Sequence, residues 1–179
     1  MPHVLQKIPN AKLVIVGLGG MQDYLVRLAQ NLKVQDNVKF RFDFIPEEER
    51  IAHYAACDLA AFPSIYEPFG IVAIEAMSME KPVVVGASGV SGMREIVISV
   101  GPEQCGFHVN PNDPTDIAWG IISSVQDAEK RRQLGLNGRK RVLKEFTWDE
   151  IAKRTIQVYD ELIESQKTRR AQAESPAEV

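Results

Sequence analysis

Glu67 and Glu75 stand eight positions apart in the run Pro63-Ser64-Ile65-Tyr66-Glu67-Pro68-Phe69-Gly70-Ile71-Val72-Ala73-Ile74-Glu75-Ala76-Met77. An apolar stretch at 58–62 leads into this loop, and an apolar, helix-forming stretch opens near Gly70. The free N–H groups of a helix's first turn, together with the helix dipole, hold an anion such as a diphosphate. Glycine at that point lets a ligand come close to the main chain. Glu67 falls just before the helix and Glu75 one turn into it, on either side of such an anion. Carboxylates accept hydrogen bonds from sugar hydroxyls and distinguish sugars by the hydroxyls they pair with. Taken alone, two glutamates at this spacing also fit a solvated helix edge.

Two glycine-rich segments accompany the block. Gly17-Leu18-Gly19-Gly20 follows an apolar run and serves either a phosphate or only the tight turn into a helix. No phosphate-binding lysine follows it, which excludes a nucleoside-triphosphatase P-loop, and a full G-x-G-x-x-G is absent, which disfavours a dinucleotide dehydrogenase. The second segment, 86–92, leads into Met93-Arg94-Glu95-Ile96 and is open to two readings, a ligand-side loop or a plain flexible one.

The elements that must position these residues alternate along the chain. Short apolar runs at 12–17, 38–42, 58–62, 82–86 and 106–109 predict strands. Apolar stripes or first-turn signals predict helices at 21–33, from Pro46, at 71–79, from 113–116, and at about 128–144 and 148–164, the last capped by Thr147. This order implies right-handed βαβ units. The fold class expected is α/β, a Rossmann-like three-layer αβα domain with a mostly parallel sheet. Ligands of such sheets bind at the carboxyl ends of the strands, so the loops after residues 17, 42, 62 and 86 carry the interest. One domain over 1–164 is predicted, and the polar tail 165–179, without an apolar stripe, is expected to be disordered.

Composition narrows the class further. The chain has 179 residues, 45% hydrophobic and 25% charged, as an ordinary globular domain does. A net charge of −3 argues against a nucleic-acid surface. No apolar run is long enough to span a bilayer, and the first residues lack the apolar core of a secretory signal. Cys57 and Cys105 have no metal-ligand spacing and read as buried free thiols, with a reactive thiol as the alternative; His3, His53 and His108 are scattered. A cytoplasmic setting, with no metal and no cofactor, is expected.

The block Glu67-Pro68-Phe69-Gly70 with Glu75-Ala76-Met77 resembles the E-x7-E signature of retaining GT-B glycosyltransferases, specifically glycosyltransferase family 4 and its glycogen-synthase-like members. The resemblance runs over about 4–162 and includes the stretches 10–17, 54–58, 81–86 and 146–148. It implies the donor-binding, C-terminal half of a GT-B enzyme, moving a hexose, glucose by expectation, from a nucleotide diphosphate sugar to an acceptor sugar or glycan without a metal. It implies that Glu67 is the catalytic-site carboxylate on the donor sugar and that Glu75 holds the ribose. Main-chain N–H groups of Phe69, Gly70 and Ile71 would meet the diphosphate and sugar, and Gly17, Gly19 and Gly20 would form the turn beneath it. The 86–92 loop would lie close to the donor.

The chain also departs from the family. A preceding strand with a Gly-Arg pair and a Lys-Gly, whose basic residues neutralise the leaving diphosphate, has no counterpart, nor has the acceptor-binding N-terminal domain. The chain by itself is therefore expected to be a poor catalyst, with an exposed sheet edge that invites self-association. The alternative reading is a non-catalytic nucleotide-sugar-binding fragment or subunit that needs a separate acceptor domain. Glu80 stands where the family commonly has glycine, which would cost about 1 kcal/mol in a left-handed conformation. The stretch 42–45 lacks a family glycine, which leaves the choice of base open.

Overall fold

Apolar runs that end at glycine take up strands, and the striped segments between them carry the chain back to the next parallel strand. The structure, a computed structural model, describes residues 1–174, with side chains to residue 169. The chain divides into two compact units, the boundary falling between Lys140 and Arg141.

The first unit opens with α1 (Pro2–Lys7), β1 (Leu13–Val16), α2 (Gln22–Asn31), β2 (Val38–Arg41) and α3 (Glu47–Ala56). It continues through β3 (Ala60–Phe62), β4 (Tyr66–Glu67), α4 (Ile71–Ser78), β5 (Val83–Gly86), β6 (Val90–Ser91), α5 (Met93–Ile96), β7 (Gly106–Val109) and α6 (Pro114–Val125). The unit boundary lies within α7 (Ala128–Glu145), and α8 (Trp148–Glu174) belongs to the second unit.

Every strand pairing is parallel, as expected, but the hydrogen bonding falls into three groups: β1-β2, β3-β5-β7 and β4-β6. The centre is β5, where Val83, Val84 and Val85 are all 0% exposed. A parallel strand flanked on both sides is buried on both faces, which is why this run is apolar without alternation. Val84 packs with Phe107, Val109 and Leu134, and Ile117 and Ile121 of α6 lie against that cluster. Val83, on the opposite face by strand alternation, turns toward Val97 at the end of α5. Ala73, Ala76 and Met77 give α4 a fully buried side of small and flexible residues, and α4 lies against β3 and β5. Helices on both faces of β3-β5-β7 make the αβα layering that the alternating sequence predicts.

The helix ends follow their signals. Asp113 caps α6 by accepting from the Thr115 N–H at 2.8 Å, with Pro114 in the first turn. Thr147 Oγ1 accepts from the Glu150 N–H at 3.3 Å at the start of α8. The end of α4 is a Schellman turn: Glu80 N–H donates to Met77 O at 3.0 Å and Lys81 N–H to Ala76 O at 3.1 Å. Glu80 there has φ 58, the left-handed conformation that glycine takes without cost. Arg139 of α7 answers it, donating to Ser78 O at 2.6 Å and lying 3.7 Å from the Glu80 carboxylate.

Two expectations are revised. The segments holding β4 and β6 read as loops in the sequence; each strand is two residues long, too short to show an alternation. The tail expected to be disordered from Ser165 is helical as far as Glu174, because α8 continues through it. Its Lys, Arg, Gln, Ala and Glu are good helix formers and need no apolar face to extend an existing helix, which the Glu164–Lys167 pair at 2.8 Å supports. Residues 175–179 of that expected tail lie outside the described residues. The boundary between the two compact units falls inside the span 1–164. Within the second unit, Arg154 pairs with Glu145 and Glu150.

Both cysteines are free thiols, Cys105 buried and Cys57 half-buried, and burial pushes the Cys57 thiol up. No helix among the described residues is long and apolar enough to cross a membrane.

Candidate functional site

The loop that leaves β3 is fastened by main-chain contacts. Tyr66 and Glu67 pair with Val90 and Ser91, and the Gly92 N–H donates to Glu67 O at 2.8 Å. Ser91, buried, donates through Oγ to Gly86 O at 2.8 Å, and Arg94 closes the turn by donating to Ser91 O and Gly89 O at 3.3 and 3.2 Å. The segment 86–92 is therefore joined to the Glu67 loop through Val90, Ser91 and Gly92.

Glycine is what permits this approach. A Cβ on Gly86 would stand 2.2 Å from Ser64 O, and one on Gly92 2.4 Å from Pro68 O. Carbonyl oxygens cannot yield as a side-chain end can, so neither position admits a side chain without moving the loop.

Gly70 is the N-cap of α4 and has φ 104 and ψ 52, a left-handed conformation. Among the described residues no side-chain cap hydrogen bond is made at this terminus, where the positive end of the helix dipole lies. Gly70 itself packs on Met93, whereas Phe69 and Ile71 on either side are exposed. Glu67 is half-buried, three residues before the helix N-cap.

Glu75 lies in the second turn of α4, with both its side-chain partners on α3. Tyr54 donates from its hydroxyl to Oε2 at 3.1 Å, and Arg50 Nε lies 3.4 Å from the same oxygen. Burial first, and the Glu75 charge second, hold the Tyr54 hydroxyl above the usual phenol range, so it stays protonated and donates. Arg50 and Tyr54 are four residues apart, on one face of α3. Sequence reasoning assigned neither a role. The i, i+4 spacing of a cation and a hydroxyl on one helix was the available signal, but nothing in a single sequence says which helix that face meets.

Glu67, Phe69, Gly70, Ile71 and Glu75 are thus brought together on one strand–loop–helix unit. Gly17, Gly19 and Gly20 stand elsewhere in the hydrogen-bonding pattern, on the β1-β2 pair. The Gly17 N–H donates to Arg41 O at 3.1 Å, extending that pair, and Gly17 has φ 146. Gly19 and Gly20 are exposed, and a Cβ on any of the three would meet nothing within 4 Å. Across the chain from this turn, Arg41 at the end of β2 pairs with Asp43 at 3.0 Å and with Glu49 at 2.6 Å.

In chemical terms the α4 unit offers an uncapped helix terminus for an anion between two carboxylates suited to hydroxyls, one of them held by a cation and a phenol. The family described as glycosyl transferases group 1 matches residues 1–141. An uncharacterized glycosyltransferase of Methanocaldococcus jannaschii is 42% identical over 159 residues, covering 89% of this chain and 39% of that one. Among solved structures, sucrose-phosphate synthase from Thermosynechococcus elongatus superposes with a TM-score of 0.76 at 34% identity, over 92% of this chain and 41% of that one. HepE of Anabaena, in complex with UDP and glucose, superposes with a TM-score of 0.71 at 29% identity, over 88% and 42%. The chain spans about two fifths of the length of these proteins.

Proposed function

The chain belongs to the group 1 glycosyl transferases, and from that premise we propose that it is the donor-binding part of a retaining hexosyltransferase. It would take a nucleotide diphosphate sugar, with glucose as the sugar, and serve transfer to an acceptor sugar or glycan. The observation that carries the reading is the α4 unit, an uncapped helix start at a left-handed Gly70 with Glu67 before it and Glu75 one turn beyond. The diphosphate sits against the N–H groups of Phe69, Gly70 and Ile71. Glu67 orients the sugar by its hydroxyls, Glu75 takes the ribose, and the Gly17, Gly19 and Gly20 turn lies beneath the diphosphate. The complex of HepE with UDP and glucose supports this class of ligand.

In this reading the bond between the anomeric carbon and the diphosphate oxygen breaks while the acceptor oxygen bonds to the same face of that carbon. The acceptor's proton passes to the departing diphosphate, so no protein nucleophile and no metal are required. Positioning and charge stabilisation are what the protein supplies. The acceptor binds through a second domain, and the setting is cytoplasmic, without nucleic-acid or membrane partners. Exposed Val14 and Val16 and the open edge of the β1-β2 pair favour self-association.

A second reading is a nucleotide-sugar-binding fragment or subunit without catalysis of its own. The test separates binding from transfer. Titration calorimetry with ADP, UDP and GDP, on protein whose melting by circular dichroism is cooperative, is expected to give heat with at least one. Glu75→Ala should abolish most of that binding, and Glu67→Ala should remove discrimination between nucleotide sugars. Folded protein that gives no heat with any of the three overturns the reading.

A further inference from the structure

The pair of α3 residues facing Glu75 has no part in the donor contacts described so far, yet its geometry is specific. Tyr54 and Arg50 reach the same carboxylate oxygen, Oε2, from one face of α3. A glutamate on a helix has three rotatable bonds, and a contact to a single ligand would have to freeze them at the moment of binding. Two donors already placed on Oε2 freeze them in advance, and neither of them lies on Oε1. Elsewhere α3 is tied down by Lys81, which follows α4 and donates to Ala55 O at 2.8 Å. The two helices are therefore joined at both the Glu75 side chain and the end of α3. The two donors also differ in kind. Arg50 brings a full positive charge beside a carboxylate that stands one turn from a helix start offered to an anion, and so offsets the repulsion between carboxylate and diphosphate. Tyr54 brings direction without charge.

We infer that Tyr54 and Arg50 are positioning residues for Glu75, Tyr54 fixing the carboxylate toward the ribose hydroxyls of the donor and Arg50 making that carboxylate compatible with the neighbouring diphosphate. The inference rests on the proposed role of Glu75 and divides it into two separable effects.

The experiment is calorimetric titration of the full chain with UDP and with 2′,3′-dideoxy-UDP, repeated with the ADP and GDP pairs. Tyr54→Phe, which keeps the ring and its packing, is expected to weaken UDP by about three- to tenfold, the worth of one hydrogen bond, and to leave dideoxy-UDP unchanged. Arg50→Ala is expected to weaken both ligands, and Arg50→Lys to restore most of the loss. With Glu75→Gln already in place, Tyr54→Phe should cost nothing further, since the group it positions is altered. Equal losses for the ribose and dideoxy ligands in Tyr54→Phe, or full additivity with Glu75→Gln, would overturn the inference and leave Tyr54 a packing residue. Failure of the parent protein to bind any of the ribonucleotides is a different result: it removes the donor-site reading itself.

Discussion

The chain builds two parallel βαβ regions from nearly the same material and treats them differently. Leu13-Val14-Ile15-Val16 in β1 and Val83-Val84-Val85-Gly86 in β5 are equally long, and neither holds a polar side chain. Yet Val14 and Val16 are 43% and 38% exposed, whereas Val83 to Val85 are 0% exposed. The difference is the number of neighbours. β5 is hydrogen-bonded on both edges, by β3 and β7, and has helices on both faces, while β1 pairs with β2 alone. The glycines divide the same way. Those at 17, 19 and 20 have open space around them, and those at 86 and 92 are pressed against carbonyls of the Glu67 loop. A glycine after a strand in the first region has open space beside it; in the second it serves packing, and the loop that carries Glu67 depends on it.

The largest test of this contrast is Gly92→Ala beside Gly19→Ala. The first should lower stability by on the order of 3 kcal/mol, or displace the Glu67 loop, because the new methyl meets a main-chain oxygen. The second should change stability by less than about 0.5 kcal/mol. Urea melts of the two variants check it, and equal effects would dissolve the distinction between open and packing glycines. Next in size, Val84→Ala should cost about 2 kcal/mol through lost burial and a residual cavity, and Val16→Ala well under 1 kcal/mol. A comparable loss at Val16 would mean that β1 is covered in solution by another copy of the chain, which sedimentation would show. The smallest effect sharpens the packed region alone. Glu80→Gly should raise the melting temperature, with a gain of about 1 kcal/mol at the left-handed end of α4. No gain would show that Arg139 already offsets the strain.

Much of this was legible in the residues. The strand at 12–17, the burial of 82–86, the helix start at 113–116, the cap at Thr147 and the helix start at Gly70 all follow from apolar runs and first-turn chemistry that act within a few residues. Glu80 was legible as a misplaced glycine, and the left-handed turn it occupies bears that out. What escaped was of two kinds. Tyr66–Glu67 and Val90–Ser91 form strands of two residues, fixed by each other across the sheet and not by any local pattern. Arg50 and Tyr54 likewise act on a residue more than twenty positions away, through a packing of α3 beside α4 that no periodicity encodes. The helix beyond Ser165 escaped for the opposite reason: lacking an apolar face, it looked like tail, although its residues extend a helix readily.

The fastening of β4 to β6 has a consequence for how such a site can change. The strand pairing and close approaches that hold the Glu67 loop are main chain to main chain, or glycine to carbonyl, while Ile65, Tyr66, Ile71 and Val90 along the same stretch are exposed. Scaffold and decoration are therefore carried by different atoms of the same residues. A library that randomises those exposed positions and leaves Gly86, Ser91 and Gly92 untouched should retain the fold while exploring new ligand preferences, an economy open to directed evolution at the bench.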